Sequence, residues 1–417
     1  MTVETGIERT DGDSAPLRKN RDFSLLWGSQ AASQLGSAVS ILAFPLLVLS
    51  IHGSAVQAGA VGTVQAVIRA VFQLPAGALA DRWDRKRLML GCDAGRAALF
   101  VILASAVLTD NASLPLVFMI SSAAAVMDVL FGPAETAAIS QLVPAERVSE
   151  AFARNEARSY AASLAGPSLG GFLYGLGRAV PFLFDALSYL VSFVFIAVIR
   201  KPLQQAPRKR SDSSLVSDIR EGVKHVAASP FLRAVILVAT PVNFALVAAQ
   251  FSVTLVLSEN GYEPSVLGVA QGVIAVGGLL GAVAAGWIQR RASFYNLLLT
   301  AVSFLFVLLV ASALLTGRLL MVLPLALGLF LAPAINAALF GRLAATTPDH
   351  LQGRVISVVV LFATLTASAA PLASGLLVER LTGVAAMIAC AAAMALSLIS
   401  ALCLGGLRNG TAGNSSV

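Results

Sequence analysis

Charge is what this sequence has least of. Of its 417 residues only 12% are Asp, Glu, Lys or Arg, whereas 57% are hydrophobic. A water-soluble domain carries about 25% charged residues, so a soluble globular chain is excluded. Histidine is nearly absent too: His52, His225 and His350 stand far apart, with no zinc or haem spacing, and no metal or cofactor is expected. The three cysteines, Cys92, Cys390 and Cys403, all fall inside apolar runs, where buried reduced thiols and no disulfide are expected. No Gly-x-x-x-x-Gly-Lys-Ser/Thr phrase offers a nucleotide cradle for an ATP-driven pump. Segments of about ten residues with alternating polarity, the mark of a membrane barrel, are missing as well. The first 22 residues are polar with no early apolar core, so a cleavable signal peptide is not expected. A net charge of +7 would suggest nucleic acid as partner in a soluble chain. Here the cations gather in loops between apolar runs, and no nucleic-acid partner is expected.

What fills the chain instead is a succession of apolar stretches of roughly 20 residues, each long enough to cross a bilayer as a helix. They run over approximately 23–50, 57–80, 88–108, 113–139, 150–175 and 181–200, then over 231–257, 264–288, 294–315, 318–341, 354–378 and 382–406. The fold class that follows is an all-α polytopic membrane protein with twelve transmembrane helices in two pseudo-symmetric six-helix bundles. Residues 1–22 are an N-terminal tail, 23–200 the first bundle, 201–230 a linker, 231–407 the second bundle and 408–417 a C-terminal tail.

Between the second and third stretches stands Gly77-Ala-Leu-Ala-Asp81-Arg82-Trp83-Asp84-Arg85-Lys86-Arg87. An acid followed by several cations cannot lie in hydrocarbon, so this is a tight turn at a membrane face. Lys and Arg beside spans favour the cytoplasmic side. Twelve spans with this turn inside put both termini in the cytoplasm, and the remaining cations agree: the turns assigned outside hold only Arg178, Arg318 and Arg380.

Within the linker, Gln204 to Ser214 is polar and basic, whereas Leu215 to Ala227 sets apolar residues at helical spacing between charges. That is the pattern of an amphipathic surface helix, a strut between bundles or a partner-binding face. The two bundles also repeat. Pro144 and Pro348 follow the fourth span of each half, Pro167 and Pro371 lie in the fifth, and both pairs are 204 residues apart (348 − 144 and 371 − 167). Duplicated six-span halves hold a small-molecule site between them near mid-membrane.

Together these features resemble the major facilitator superfamily over roughly residues 20–407. Gly77-x-Leu-Ala-Asp81-Arg82-x-x-Arg85-Lys86 is similar to that superfamily's signature loop between helices two and three, with Asp84 where glycine is commoner. Gly166-Pro167-Ser-Leu-Gly170-Gly171 resembles the Gly-Pro-x-x-Gly-Gly phrase of drug/proton antiporters. Phe131-Gly-Pro-Ala-Glu135, Leu142-Val-Pro-Ala-Glu-Arg147 and Asp349-His-Leu-Gln-Gly353-Arg354-Val355 resemble the macrolide-efflux and enterobactin-exporter branch. The Arg-x-x-x-Gly phrase usual in the fourth helix of such antiporters is missing, and Asp128 occupies that helix instead, so their coupling scheme does not transfer.

The resemblance implies that Asp81 meets the N-terminus of helix eleven, where the macrodipole favours a carboxylate. That contact would latch the inner side in an outward-open state. Arg82, Arg85 and Lys86 would stand in the headgroup layer. The plainer alternative is that these charges only fix topology. Gly166, Gly170 and Gly171 with Pro167 bend the fifth helix and let a neighbour approach, either sealing the cavity or simply packing, with Gly175 extending the same face.

Arg69 and Asp128 fall near the middle of helices two and four, where an ionised side chain costs roughly 2.5–3.5 kcal/mol. The resemblance makes those helices neighbours, so an interior Arg69–Asp128 pair is expected. Asp128 either keeps that pair permanently or alternates it with a proton. Asp93 and Arg96 stand three residues apart and can pair locally. With Glu135, Glu156 and Arg354 they are candidate inner-gate charges, whereas Asp185 is expected to snorkel outward or meet Arg178. Helices one, four, seven and ten line the cavity in the resembled fold, making Gln30, Gln34, Asn243, Gln250, Asn336 and Phe131 candidate substrate contacts.

The expected activity is secondary active efflux of a small hydrophobic or amphipathic compound, drug-, macrolide- or siderophore-like, by proton antiport with alternating access. The expected partners are that substrate, protons and the lipid bilayer, the protein being a monomer in a bacterial cytoplasmic membrane. No catalytic set is visible, since no histidine lies within a span and no nucleophile–base pair stands out. An importer or symporter of the same fold, or a non-transporting ligand sensor, are the alternatives.

Overall fold

The structure, a computed structural model, describes residues 17, 20–203, 215–291, 293–347 and 349–404. Among these residues every regular element is helical. The first set comprises α1 (Arg21–His52), α2 (Ala55–Arg82), α3 (Arg85–Leu108), α4 (Leu114–Leu142), α5 (Val148–Leu176) and α6 (Val180–Val198). A short α7 (Leu215–Ala228) follows. The second set comprises α8 (Pro230–Glu259), α9 (Pro264–Gln289), α10 (Phe294–Leu314), α11 (Val322–Leu329), α12 (Ala332–Thr346), α13 (Asp349–Ala367), α14 (Ala370–Arg380) and α15 (Gly383–Cys403).

Eleven described segments are long and apolar enough to cross a membrane, and α5 is the long helix outside that group. Charges crowd its first three turns and Gly, Ser and Tyr dilute the rest. Its 29 residues still suffice to span hydrocarbon, and it lies packed against α1 and α9.

Side-chain caps start the helices where the sequence changes character. Ser54 accepts from the Gln57 amide at the head of α2. Asp84, the residue standing where similar loops carry glycine, caps α3 by accepting from the Arg87 amide at 2.8 Å. The departure from the family pattern is thus a helix start. Prolines act unequally. Pro133 and Pro167 sit inside unbroken helices, whereas the tenth and eleventh spans, expected as single helices, each divide two to three residues before a proline. The divisions fall between α11 and α12 ahead of Pro333 and between α13 and α14 ahead of Pro371.

The interior is built from small residues, and many bulky apolar side chains point away from it. Ala43, Ala104, Ala134 and Ala249 are fully buried, while Leu314 and Val283 are more than four-fifths exposed. A bilayer supplies apolar surroundings, so close approach of helices rather than burial of large side chains holds such a bundle together. One aromatic cluster joins α1, α3 and α6, with Phe44 5.4 Å from Phe182 and 5.8 Å from Phe100 between ring centroids. Phe44 therefore serves packing.

Within the first set, α1 packs on α5 and α6, α3 on α4 and α6, and α2 on α4. Within the second, α8 packs on α13, α14 and α15, α9 on α11 and α12, and α10 on α11 and α15. The amphipathic pattern after Leu215 is indeed helical. Rather than bridging both sets, α7 docks on α13 and α8, with Val226 buried beside Leu232, Leu351 and Val355. Ile199 and Leu203 bury themselves in the first set, against Leu88 and Met89. Of the cysteines, all are free and Cys92 and Cys390 are buried as expected, but Cys403 is exposed because α15 ends there.

Candidate functional site

The two sets meet chiefly along two antiparallel seams, α2 against α14 and α5 against α9. Every close contact found in these seams lies at one end of the molecule, the end away from the basic α2–α3 turn. At Gly59 the carbonyl of Pro371 occupies the space of a Cβ, and at Gly375 the carbonyl of Ala55 does the same. The Leu372 amide donates to Thr63 Oγ1 at 3.0 Å. Beyond them Glu379 reaches the head of α2: Ser54 Oγ and the Val56 amide donate to its Oε2 at 2.7 and 2.8 Å. A carboxylate on the unpaired amides of a helix N-terminus is a favourable arrangement. In the other seam Gly171 faces the Pro264 carbonyl and Gly268, and Ser168 Oγ donates to the Gly268 carbonyl at 3.2 Å.

The Gly166–Gly171 phrase thus packs two ways. Gly166 and Gly170 let α1 approach at Ala38 and Val39, while Gly171 and Pro167 touch α9. Gly175, expected to extend this face, meets open space instead. The repeated prolines hold matching places, Pro167 against Gly268 of α9 and Pro371 against Gly59 and Gly62 of α2.

The basic end is built differently. Among the described residues nothing of another element stands within 4 Å of where a Cβ at Gly77 would lie, and Arg82 is exposed. Arg85 and Lys86, expected among headgroups, turn onto the C-terminus of α6 instead. Lys86 Nζ donates to the carbonyls of Ala197 and Ile199 at 2.9 and 2.7 Å, and Arg85 Nη1 to that of Leu203 at 3.3 Å. Cations are favoured on such orphan carbonyls. The side chains of Asp81 and Arg354 lie outside what the structure describes. A groove of about 630 Å³ runs beside the turn, between Arg82, Arg87, Leu88, Met127 and Leu130.

Two polar networks cross the first set. In one, Arg69 Nη1 lies 3.8 Å from Asp128 Oδ2, forming the pair expected from the sequence. The pair does not face a closed interior, since the two side chains are 46% and 47% exposed. Asp128 is shared, because Arg96 Nη1 stands 3.4 Å from its other oxygen. Arg96 also holds Asp93 at 2.6 Å, and Ser192 Oγ donates to Asp93 at 2.6 Å. Its guanidinium lies over the rings of Tyr189 at 4.3 Å and Phe131 at 4.9 Å. Phe131, a candidate substrate contact, is therefore buried against Arg96. Asp185, expected near the surface or with Arg178, is fully buried, accepting from Ser40 Oγ at 2.5 Å.

In the second network Glu135 Oε1 accepts from Arg158 Nη2 at 2.9 Å and from Asn155 Nδ2 at 3.1 Å. Gln34 Oε1 accepts from Arg158 Nε and Ser159 Oγ, both at 3.1 Å. Gln30, one turn before Gln34, is buried and its Nε2 has no partner. Glu156 points outward and is exposed. The partners just described for Asp93, Arg96 and Glu135 all belong to the first six helices. Arg158 was readable only as one of several interface charges; the signal that it turns inward is a glutamine pair at i,i+4 on α1.

On the other set, Asn243 and Asn336 line a common cavity of about 80 Å³ with Leu246, Gly328 and Ile335. Gln250 turns away, its Nε2 donating weakly to the Leu246 carbonyl at 3.4 Å, while its own carbonyl accepts from Gln271. Among the described residues no group of His, Cys, Asp and Glu is arranged to hold a metal ion.

Comparison with known proteins agrees with this geometry. The Major Facilitator Superfamily family model matches residues 26–339, and the chain belongs to that family. It is a multi-pass membrane transporter acting on small molecules rather than an enzyme. It is 29% identical over 345 residues to the multidrug efflux pump Tap of Mycolicibacterium fortuitum, covering 78% of this chain and 81% of Tap. Macrolide efflux protein A of Streptococcus pyogenes is 25% identical over 224 residues, 52% of this chain and 54% of that protein. Across the curated relatives the match spans from 52% to 90% of the relative's length. The fold is that of a bacterial homolog to the human lysosomal transporter Spinster in an inward-facing, occupied conformation, with a TM-score of 0.67, 15% identity and coverage of 96% and 98%.

Proposed function

We propose that this transporter is a secondary active exporter of a small hydrophobic or amphipathic compound, working by proton antiport and alternating access, and that its present form is open to the cytoplasm. One observation carries the reading: the two helix sets are fastened at the end opposite the basic turn, through α2–α14 and α5–α9. Positive loops face the cytoplasm, so the fastened end is external and the termini are cytoplasmic. The two sets then act as the bodies that rock against each other, as duplicated six-span halves do.

Three supports point to export by antiport. The Gly-Pro-x-x-Gly-Gly phrase lies in the external α5–α9 seam, where it seals the cavity against leak. The relatives named above are efflux pumps, for several drugs in one case and for macrolides in the other. Asp128, half-exposed between Arg69 and Arg96, is the carboxylate best placed to exchange a cationic partner for a proton from the open side. The protein works as a monomer, since one chain supplies both sets.

Reconstitution in proteoliposomes with an imposed pH gradient tests the reading, using macrolides, dyes and siderophores as substrates and Asp128→Asn as comparison. Substrate-dependent proton movement that disappears in the folded Asn variant is the expected outcome. Proton movement that persists would leave Asp128 a structural partner, and uptake down the proton gradient would make the protein a symporter.

A further inference from the structure

The second polar network holds more donors than it uses. Gln30 Nε2 and Arg158 Nη1 are buried atoms without any hydrogen-bond partner, and both residues are at least nine-tenths buried, at 2% and 5% exposure. Buried amide and guanidinium N–H groups left without an acceptor are costly, and proteins keep them where function requires. The two belong to one place. Gln30 and Gln34 lie one turn apart on the same face of α1, and Arg158 Nε donates to Gln34 Oε1.

The charge of Arg158 is already answered by Glu135 at 2.9 Å. Gln34 Oε1 is occupied twice. What the buried atoms still offer is donor capacity in surroundings that are neutral overall. Gln34, Asn155 and Ser159 are only half-buried, so the cluster has an open side. An added anion would find no uncompensated cation, whereas uncharged oxygen acceptors would answer these donors.

We propose that Gln30 and Arg158 form a subsite for an uncharged acceptor oxygen of the transported molecule, a carbonyl, ester or sugar hydroxyl. Gln34 and Glu135 act as positioning residues that hold the guanidinium. The inference deepens the export reading and rests on it for the identity of the ligand as cargo.

The test uses the purified full chain, with erythromycin and ethidium as probes. Both are cations, but only erythromycin carries oxygen acceptors. Gln30→Met keeps the side-chain length and removes the donor, and Arg158→Lys keeps the charge toward Glu135 and removes the fork. Each variant is expected to bind erythromycin roughly tenfold more weakly, the worth of one hydrogen bond, with ethidium affinity unchanged. Without ligand, Gln30→Met is expected to raise the melting temperature by about 1–2 °C, because an unanswered donor is gone. A lower melting temperature would show that Gln30 has a structural partner and would overturn the subsite. Equal loss of both probes, or no erythromycin binding to the unaltered protein, would overturn it as well. Binding that behaves as expected without any efflux from proteoliposomes would keep the subsite and discard the export reading.

Discussion

The two ends of α2 face the same kind of neighbour and behave in opposite ways. At its head, Gly59 and Gly62 lie against Pro371, and Glu379 of α14 sits on the Ser54 cap. At its foot no described residue of another element lies within reach of a Cβ at Gly77, and Arg85 and Lys86 just beyond are occupied with α6 of their own set. The eleventh span is antiparallel to α2, and its α14 half carries Glu379 to the head of α2. That clasp is formed in this structure. The lesson is that closure of one end needs small residues for backbone approach and a carboxylate for the last contact, and that the sequence repeats both ingredients at the other end.

Changes that break this contrast can be ranked. The largest effect is expected away from the seams, as a reference for what a buried charge is worth. Arg96→Met leaves Asp93 buried with Ser192 alone and should cost about 3–5 kcal/mol, seen as a collapse of folded yield. Arg69→Met, on the same Asp128 but half-exposed, should cost under about 1 kcal/mol. Comparable losses would mean that the outer half of this network is as closed as the inner.

Next comes the seam itself. Gly59→Val drives a branched side chain into the Pro371 carbonyl, and overpacking of this kind costs about 1–3 kcal/mol. Because the cost falls only on the fastened form, cysteines placed near Thr63 and Leu372 should become more reactive to a membrane-impermeant thiol reagent. Unchanged labelling would deny that this seam is a gate.

Glu379→Gln is milder. It keeps the geometry and replaces charge-assisted bonds by neutral ones, a difference of about 1 kcal/mol or less at an exposed site. The expected result is a several-fold rise in the same labelling, measured in parallel. The smallest effect is expected at the foot of α2. Gly77→Ala adds a methyl group where nothing stands, and exchanging a helical glycine for alanine should stabilise by about 0.5–1 kcal/mol. A strongly impaired Gly77→Ala with intact folding would point to a close approach at that end in another conformation.

Much of the architecture was legible because a bilayer is an undemanding solvent to read. Stretch length gave the spans, even for α5, whose charges and glycines dilute its apolar character. The Arg69–Asp128 pair was legible for the same reason, since mid-span charges are too costly to stand alone. Its sharing with Arg96 was not, because i,i+3 spacing to Asp93 offers a sufficient local partner and hides the second one. Asp185 misled by its place five residues into α6, near a span end. Ser188 stands at i,i+3 on α6 itself, but Ser40 comes from α1 by helix packing that spacing does not reveal. Glu379 was not legible, because its contact with the Ser54 cap joins residues 325 apart in the chain. Proline gave the least guidance. Pro133 and Pro167 are absorbed within intact helices while Pro333 and Pro371 stand at breaks, and only the neighbours decide which.

The way the linker packs bears on how the polypeptide tolerates being interrupted. Leu203 is already buried with the first set, and α7 is already docked on the second. All packing described for the connection is therefore local to one half or the other. Two separate polypeptides, ending after Leu203 and beginning at Leu215, would each keep the packing described on their side of the cut, and they would still share one buried core and the two glycine-lined seams. Covalent continuity then contributes local concentration, and co-expression of the two pieces should restore a single working protein.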